Sequence, residues 1–369
     1  MKDPAENMLK ICRIASFPSI DSQGVGLPGY QLCKAMENPT LFLTRKTADP
    51  LPVGDHIDLR MIDYSSPAFS ERLNAGVALK KIFGLLKFLL VSINPMTRFH
   101  PDILHIHSPL YLLHAAWARF ILRSKICMTF HGSDLLRIKK NPFLKWVLPR
   151  LVDLFFHVSL SMRADLQSFL PHSRIIYTPN GVDLDKFRDL GLSRKKQVVA
   201  VGNLRWQKGY KYLIDAFSTL TDTQYDLVIA GEGPLRDELE NQIEEAGLTG
   251  KVRMPGRLDH DQLVKLLGES SIYVMSSVSE GFPKALLEAM ACGLPVVTTD
   301  AGCCQEVAVD AGICVDCSDS EALAAALRMI IEDQGLRHSL ASRAAASAPM
   351  YSWDVSCDIV SSAYDSLCV

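Results

Sequence analysis

The chain lacks several features that would place it outside the ordinary globular classes. It has no low-complexity stretch and no repeat with a period of about 20–50 residues, which argues against solenoids and propellers. No uninterrupted apolar run is long enough to span a bilayer, and the polar segment 1–7 lacks the apolar core of a signal peptide. With 48% hydrophobic and 22% charged residues, the 369-residue chain is expected to form two globular domains.

An excess of charge is also lacking overall, because the net charge is only −2, but the two halves differ. Residues 1–188 carry a net charge of +9, and residues 189–369 carry −11. Two stretches of the basic half, 82–91 and 137–150, mix Lys and Arg with Phe, Trp and Leu. This pattern is typical of amphipathic helices on anionic membranes, although a core helix with outward charges gives the same pattern. We expect peripheral contact with an anionic membrane and no nucleic-acid partner.

The ten cysteines predict reduced thiols in a cytoplasmic protein. Cys303-Cys304 followed by Cys314-x-x-Cys317 raises the alternative of a zinc site. The spacing does not match the usual paired C-x2-C sets, so we expect buried thiols and no metal.

Apolar runs that predict buried strands alternate with segments of helical period, and this pattern begins again after about residue 190. Such alternation predicts parallel sheets with crossover helices, here in two doubly wound α/β domains. Turn residues at 178–187 mark the junction. The predicted strands are 9–17, 40–43, 103–106, 126–130, 154–158, 175–177, 198–201, 227–229, 272–275, 296–298 and 313–315.

The most informative motif is a pair of carboxylates eight positions apart, Glu280 and Glu288. Glu280 lies in a predicted turn between a strand and a helix that contains Glu288. Ligands of open α/β sheets bind at that end of the strands. A helix N-terminus there favours an anion, and carboxylates accept bonds from sugar hydroxyls, so the pair suits a nucleotide-sugar.

Three further motifs follow predicted strands. Gly202 to Gly209 contains two basic residues, Arg205 and Lys208, which can neutralise a diphosphate. His131 begins His-Gly-Ser-Asp and can hydrogen-bond a reacting sugar. Residues 24–29 match G-x-G-x-x-G and raise the alternative of an NAD(P) dehydrogenase, but the preceding loop is too long and the next strand lacks the ribose-binding acid.

Together these motifs resemble those of the retaining glycosyltransferases of family 4, which have the GT-B fold, over about residues 8–365. The resemblance implies two Rossmann-like domains facing each other across a cleft: 1–188 for the acceptor, 189–348 for the donor, and a helix at 349–369 that crosses back to the first. Asn203 stands where the family has Arg, so Arg205 is expected to supply that charge. Asp183 and Asp185 form a D-x-D pattern, which in other glycosyltransferases can hold a divalent metal. Because this one lies in the junction, we expect it to be a turn and predict no metal.

The resemblance also implies the roles of individual residues. Glu288 would bind the ribose, Glu280 the donor sugar, and Lys208 with Arg205 the departing diphosphate, with His131 beside the transferred sugar. The full catalytic set is His131, Lys208, Arg205 and Glu280. The expected donor-binding set is Gly26, Gly202, Arg205, Lys208, Arg257, Leu258, Glu280, Gly281, Phe282, Pro283, Lys284 and Glu288.

The expected activity is hexosyl or N-acetylhexosaminyl transfer from a nucleotide-sugar, UDP before GDP, without a cofactor. The expected acceptor is a glycan or a lipid-linked molecule of cell-envelope or exopolysaccharide and lipopolysaccharide synthesis. Two alternatives stay open: a nucleotide-sugar epimerase of the same fold, and a non-catalytic binding subunit.

Overall fold

The computed structural model describes residues 8–15, 27–46, 50, 52–63 and 75–368, which divide into two compact units. The first unit comprises the chain up to Val158, Met162–Pro179 and Ser356 onwards. The second comprises Ser159–Ser161 and Asn180–Val355. The boundary after Pro179 lies inside the predicted junction, so residues 180–188 cluster with the second unit.

The first unit contains a parallel seven-stranded sheet in the order β3-β2-β1-β4-β5-β6-β7. Strand β1 pairs with β2 on one side and β4 on the other, so the strand order reverses there. The strands are β1 Ile11–Ile14, β2 Thr40–Arg45, β3 Ile57–Ile62, β4 Ile103–Ile106, β5 Lys125–Phe130, β6 Leu154–His157 and β7 Ile175–Tyr177. The helices are α1 Leu27–Ala35, α2 Ala75–Phe99, α3 Leu112–Trp117, α4 Ser133–Lys139, α5 Pro142–Leu151 and α6 Arg163–Phe169.

The second unit contains a parallel six-stranded sheet in the order β10-β9-β8-β11-β12-β13, which reverses at β8. Its strands are β8 Gln197–Val201, β9 Asp226–Ala230, β10 Val252–Gly256, β11 Ile272–Met275, β12 Val296–Thr299 and β13 Gly312–Val315. Its helices are α7 Tyr210–Ser218, α8 Arg236–Glu245, α9 His260–Glu269, α10 Lys284–Ala291, α11 Cys304–Ala308, α12 Ser320–Glu332 and α13 Gln334–Ser347. The last helix of the chain is α14, Trp353–Cys368.

Successive residues of the second sheet point into different cores, as a sheet covered by helices on both faces requires. Val198 and Ala200 of β8 belong to one hydrophobic cluster, whereas Val199 belongs to the other. Tyr273 of β11 lies in the same cluster as Val199. Burial on both faces explains why these strands read as continuous apolar runs in the sequence.

Helix α2 has one buried face, with Gly84, Phe88, Ser92 and Met96 spaced four residues apart. Its opposite face leaves large apolar side chains exposed: Ile82, Phe83, Leu86, Leu90 and Val91. Ile82–Phe99 is not an uninterrupted apolar run, because it contains Lys87 and Arg98, but by length and composition alone it would suffice to cross a membrane, and 22% of it is buried.

The second basic stretch, 137–150, does not form one helix. Helix α4 ends at Lys139, and α5 begins at Pro142. The side chain of Asn141 accepts a hydrogen bond from the backbone N–H of Phe143 and so caps α5, while Pro142 occupies the first helical position.

The C-terminal helix begins in the second unit and belongs to the first from Ser356 on. Near its start, the Val182 N–H donates to the Tyr351 carbonyl, 2.7 Å away. A Cβ on Gly181 would lie 2.6 Å from the Trp353 backbone nitrogen, so this contact requires glycine. In the first unit the Ser356 hydroxyl donates to the Pro179 carbonyl at 2.7 Å.

Candidate functional site in the second unit and a histidine cluster in the first

The turn after β8 holds Lys208 at the point where the strand order reverses. Gly202 follows the strand with a φ of +155°, a short 3₁₀ turn covers Trp206–Lys208, and α7 begins after Gly209. A Cβ on Gly202 would approach the Tyr210 hydroxyl to 2.9 Å and Lys208 Cε to 3.1 Å. The absence of a side chain at Gly202 therefore leaves room for the stem of Lys208.

Glu280 lies in the turn after β11, the neighbour of β8, and forms an ion pair with Lys208. Lys208 Nζ and Glu280 Oε2 are 2.6 Å apart, and the side chains are only 22% and 13% exposed. The Ser277 hydroxyl donates to the same carboxylate oxygen at 3.2 Å. The two predicted residues are thus together, at the topological switch point where α/β sheets bind ligands.

Backbone and hydroxyl contacts fasten the two turns to each other. The Val278 N–H donates to the Gln207 carbonyl at 2.8 Å, and the Ser276 hydroxyl donates to the Lys208 carbonyl at 2.9 Å. Gly209, with a φ of +61°, is so close to the second turn that a Cβ would lie 2.1 Å from the Ser276 carbonyl oxygen. These contacts fix the positions of Lys208 and Glu280.

Glu288 lies in the second turn of α10 and is half-buried. Burial raises the pKa of Glu288 to about 7, and the positive charge of Lys284 opposes that rise. The same burial lowers the pKa of Lys284. Near neutral pH, the protonated form of Glu288 can donate a hydrogen bond, whereas the ionised form can only accept one.

The residues between the two glutamates lead the chain from the turn into α10. Gly281 is exposed, Phe282 packs against the hydrophobic core, and Pro283 is buried directly before Lys284, where the helix begins. Cys303 places its thiol 3.5 Å from the Gly281 carbonyl.

The thiols of 303, 304 and 317 approach different partners: the Gly281 carbonyl, the Met275 sulfur and the Ser277 carbonyl. Burial raises the pKa of each of these thiols, which keeps them protonated at neutral pH. Among the described residues, no group of three or more His, Cys, Asp or Glu side chains is arranged to hold a metal ion.

Two buried hydroxyls lie near this site and were not singled out from the sequence. The hydroxyls of Tyr210 and Tyr273 are buried and have no hydrogen-bond partner in the part of the chain that the structure describes. Burial raises the pKa of both phenols, and the charge of Glu280 adds to the rise. Their rings read as ordinary core positions in the sequence, so only the structure draws attention to them.

Other predicted residues of the donor set are not joined to the ion pair. The Arg205 side chain is exposed, and within the described ranges it forms no ion pair. Arg257 and Leu258 follow the edge strand β10, which is two strands away from β8. Gly26 lies outside the described residues, as does the first half of the G-x-G-x-x-G segment, residues 24–26.

His131 lies in the first unit, directly after β5, where Gly132 has a φ of +100° and starts helix α4. Its Nε2 is 3.0 Å from Nδ1 of His107, which follows the neighbouring strand β4. The two imidazole planes are 16° apart, with centroids separated by 5.3 Å. Burial lowers the pKa of His131 to about 4 and that of His107 well below its ordinary value.

The stack of imidazoles continues into the core. His105 stacks on His107 with centroids 4.6 Å apart. His105 Nδ1 lies 3.3 Å from the guanidinium of Arg13, which is fully buried in β1, and also contacts the Tyr364 hydroxyl of α14. The sequence had indicated His131, but the contacts of His107, His105, Arg13 and Tyr364 emerge only from the fold.

Two family profiles match consecutive parts of the chain. The profile of glycosyltransferase family 4 matches residues 66–186. The profile of glycosyl transferases group 1 matches residues 183–347 and therefore includes both glutamates and Lys208.

Among curated relatives, an uncharacterized glycosyltransferase of Methanocaldococcus jannaschii is 35% identical over 164 residues, 43% of this chain and 42% of that protein. A phosphatidyl-myo-inositol mannosyltransferase of Mycobacterium leprae is 27% identical over 280 residues, 72% of this chain and 74% of that protein. The match thus spans well under half of the first relative's length.

The fold is similar to that of solved glycosyltransferases. Sucrose-phosphate synthase of Thermosynechococcus elongatus superposes with a TM-score of 0.80 at 20% identity, over 97% of this chain and 99% of that one. An Anabaena protein in complex with UDP gives a TM-score of 0.75 at 20% identity, over 97% and 100% of the two chains.

Proposed function

Because the chain belongs to glycosyltransferase family 4 and has the GT-B fold, we propose that it is a retaining glycosyltransferase with a nucleotide-sugar donor. The observation that carries the proposal is the Lys208–Glu280 ion pair at the switch point of the second sheet. The pair places a cation and a carboxylate side by side, as a ligand with a diphosphate and a sugar requires.

In this proposal, the donor diphosphate replaces Glu280 as the partner of the positively charged Lys208. Glu280 is then released to accept hydrogen bonds from the donor sugar, and the N-terminus of α10 adds its positive dipole end to the site. Glu288 accepts a bond from a ribose hydroxyl. A preorganised cation of this kind stabilises the negative charge that develops on the leaving diphosphate.

The proposed donor is a UDP-sugar, with a hexosyl or N-acetylhexosaminyl group. The UDP bound to the Anabaena protein of the same fold supports this choice over GDP. His131 of the first unit stays a prediction as the residue that contacts the transferred sugar.

The proposed acceptor is a glycan or a lipid-linked molecule at an anionic membrane surface. Residues 75–150 of the first unit contain twelve Lys and Arg but only two Asp and no Glu. Within this segment α2 exposes Phe83 and Leu90, at 63% and 67%, and α5 exposes Phe143 and Trp146. Apolar side chains beside an excess of positive charge suit an anionic bilayer, and the mycobacterial relative is named for a lipid substrate.

Vesicle sedimentation tests the membrane proposal. The wild type should bind vesicles that contain anionic lipid and should bind neutral vesicles far more weakly. The double variant Phe83→Ser/Leu90→Ser should lose most of this binding, whereas Val309→Ser, at an equally exposed apolar residue of the second unit, should keep it. Equal binding to neutral and anionic vesicles would refute the proposal.

A turnover assay tests the activity itself. Wild-type protein is incubated with UDP-glucose, UDP-N-acetylglucosamine or GDP-mannose, with and without a lipid extract as acceptor, and nucleoside diphosphate release is measured. Acceptor-dependent release, with the anomeric configuration of the donor kept in the product, is the expected result. Conversion of the donor without acceptor would instead support an epimerase, and binding without turnover a non-catalytic subunit.

A further inference from the structure

The contact between His107 and His131 determines how His131 can meet a ligand. Because His131 Nε2 is occupied by His107 Nδ1, 3.0 Å away, only Nδ1 of His131 is left for a substrate. Whether that nitrogen donates or accepts depends on which of the two histidines supplies the shared proton.

The surroundings of His107 answer this question. Its Nε2 is buried and has no hydrogen-bond partner among the described residues. That nitrogen lies 3.6 Å from the position that a Cβ on Gly29 would occupy, so it faces the first turn of α1. An N–H placed there would be a buried donor without an acceptor, and it would point at the positive end of a helix. A lone pair at Nε2 avoids both costs.

The proton of His107 therefore belongs on Nδ1, from which it is donated to His131 Nε2. A neutral His131 that accepts at Nε2 must carry its own proton on Nδ1. We propose that His107 is a positioning residue that holds His131 in the Nδ1–H tautomer, so that His131 meets its substrate as a hydrogen-bond donor. His131 would then contact an oxygen with a lone pair, such as a sugar hydroxyl or a phosphate oxygen.

The groups around the stack favour the neutral form of both rings. The guanidinium of Arg13 donates to His105 Nδ1, and His105 Nε2 can then donate to the Thr129 hydroxyl 2.7 Å away. Burial lowers the pKa of His107, and the neighbouring His131 and the positive charge of Arg13 lower it further. A neutral His107 that donates from Nδ1 keeps a lone pair at the buried Nε2, whereas an imidazolium would place a second N–H there.

The tautomer can be measured directly by long-range ¹H–¹⁵N correlation spectra of protein labelled at its ten histidines. His131→Asn identifies the signals of His131. We expect a protonated Nδ1 and an unprotonated Nε2 at neutral pH in the ligand-free wild type. A His131 protonated at Nε2 would overturn the proposal.

Variants at His107 provide the second readout. His107→Asn keeps a side-chain N–H near the position of Nδ1, whereas His107→Leu removes it at similar volume. We expect His107→Asn to keep the Nδ1–H tautomer and turnover within about 3-fold. His107→Leu should give a mixture of tautomers and about a 10-fold lower kcat, with little change in the donor KM. If His131 keeps the Nδ1–H tautomer in His107→Leu, His107 does not position it.

The kinetic part rests on the proposed function, but the spectra do not. A protein without transferase activity whose His131 carries the proton on Nδ1 would refute the proposed function and leave the tautomer assignment in place. An active enzyme with His131 protonated at Nε2 would do the reverse.

Discussion

The ion pair between Lys208 and Glu280 is the contact from which the proposed chemistry follows. Both residues lie in turns that follow neighbouring parallel strands, so the topology brings them together although they are 72 positions apart. The mostly buried position of the pair means that removal of one partner leaves the other charge poorly solvated. The incoming diphosphate replaces one counter-ion by another instead of leaving a bare charge.

Lys208→Ala should lower kcat/KM by about 100-fold, which corresponds to about 3 kcal/mol of transition-state stabilisation. The reason is the loss of the cation at the leaving diphosphate. Lys211→Ala, which removes the same charge from the exposed surface of α7, serves as the matched control and should stay near wild type. Equal effects of the two substitutions in steady-state assays would contradict the assigned role.

Glu288→Gln should change the pH dependence of stability. The folded-state pKa of Glu288, about 7, is above its ordinary value of 4.5, so the folded protein holds this proton more tightly than the unfolded chain does. The free energy of unfolding of the wild type should therefore fall as the pH rises from about 5 to about 7. In Glu288→Gln this decrease should be smaller, by an amount on the order of 2 kcal/mol.

Urea denaturation at about pH 5 and about pH 8 measures this effect. Glu245→Gln, at an exposed position of α8, should leave the wild-type pH dependence unchanged. Parallel pH profiles for wild type and Glu288→Gln would show that the carboxyl titrates normally.

The placement of candidate residues was predictable where the motif is local, as with Glu280 and Gly281 in one turn and Glu288 in the helix that follows it. Contacts between residues of different strands were harder to predict from the sequence. His107 contacts His131 because β4 and β5 are neighbours in the sheet. Arg13 lies over the ring of Tyr364, which comes from α14 at the other end of the chain. The positions of Arg257 and Leu258 after an edge strand could not be related to the ion pair from spacing alone.

At the scale of elements, the contact between the turns after β8 and β11 depends on Gly209. Its φ of +61° and the 2.1 Å approach to the Ser276 carbonyl leave no space for a Cβ. Gly209→Ala should therefore destabilise the protein by about 3 kcal/mol, more than the roughly 1 kcal/mol expected for the backbone conformation alone.

Gly247→Ala isolates the conformational cost, because Gly247 has a φ of +66° with nothing within 4 Å of its Cβ position. Urea denaturation of both variants should give the larger loss for Gly209→Ala. A similar loss for the two would mean that the close approach of the turns carries no stability.

Most strands were predictable because burial on both faces makes them continuous apolar runs. The strands Ile103–Ile106, Ile175–Tyr177 and Ile272–Met275 have the predicted bounds. Strands β3 and β10 were missed. Both are edge strands with exposed polar residues, and β10 contains Pro255, which the sheet tolerates only at an edge or a bulge.

On the scale of the whole molecule, the two units share one arrangement. Each unit has a doubly wound parallel sheet. The candidate residues follow β4 and β5 in the first unit, which are the next two strands after the reversal at β1, and β8 and β11 in the second, where the reversal is at β8. The alternation of strands and helices predicted this α/β architecture, and the GT-B fold expected from the motifs is confirmed.

The central claim is that the second unit holds a nucleoside diphosphate through Lys208 and Glu288. Isothermal titration of UDP into the full-length protein, in the presence of a metal chelator, tests it most directly, with GDP titrated for comparison. We predict metal-independent binding of UDP that is at least about 10-fold weaker in Lys208→Ala and in Glu288→Ala, which corresponds to about 1.4 kcal/mol or more in each. Binding of neither nucleotide, or binding that both variants leave unchanged, would contradict the account.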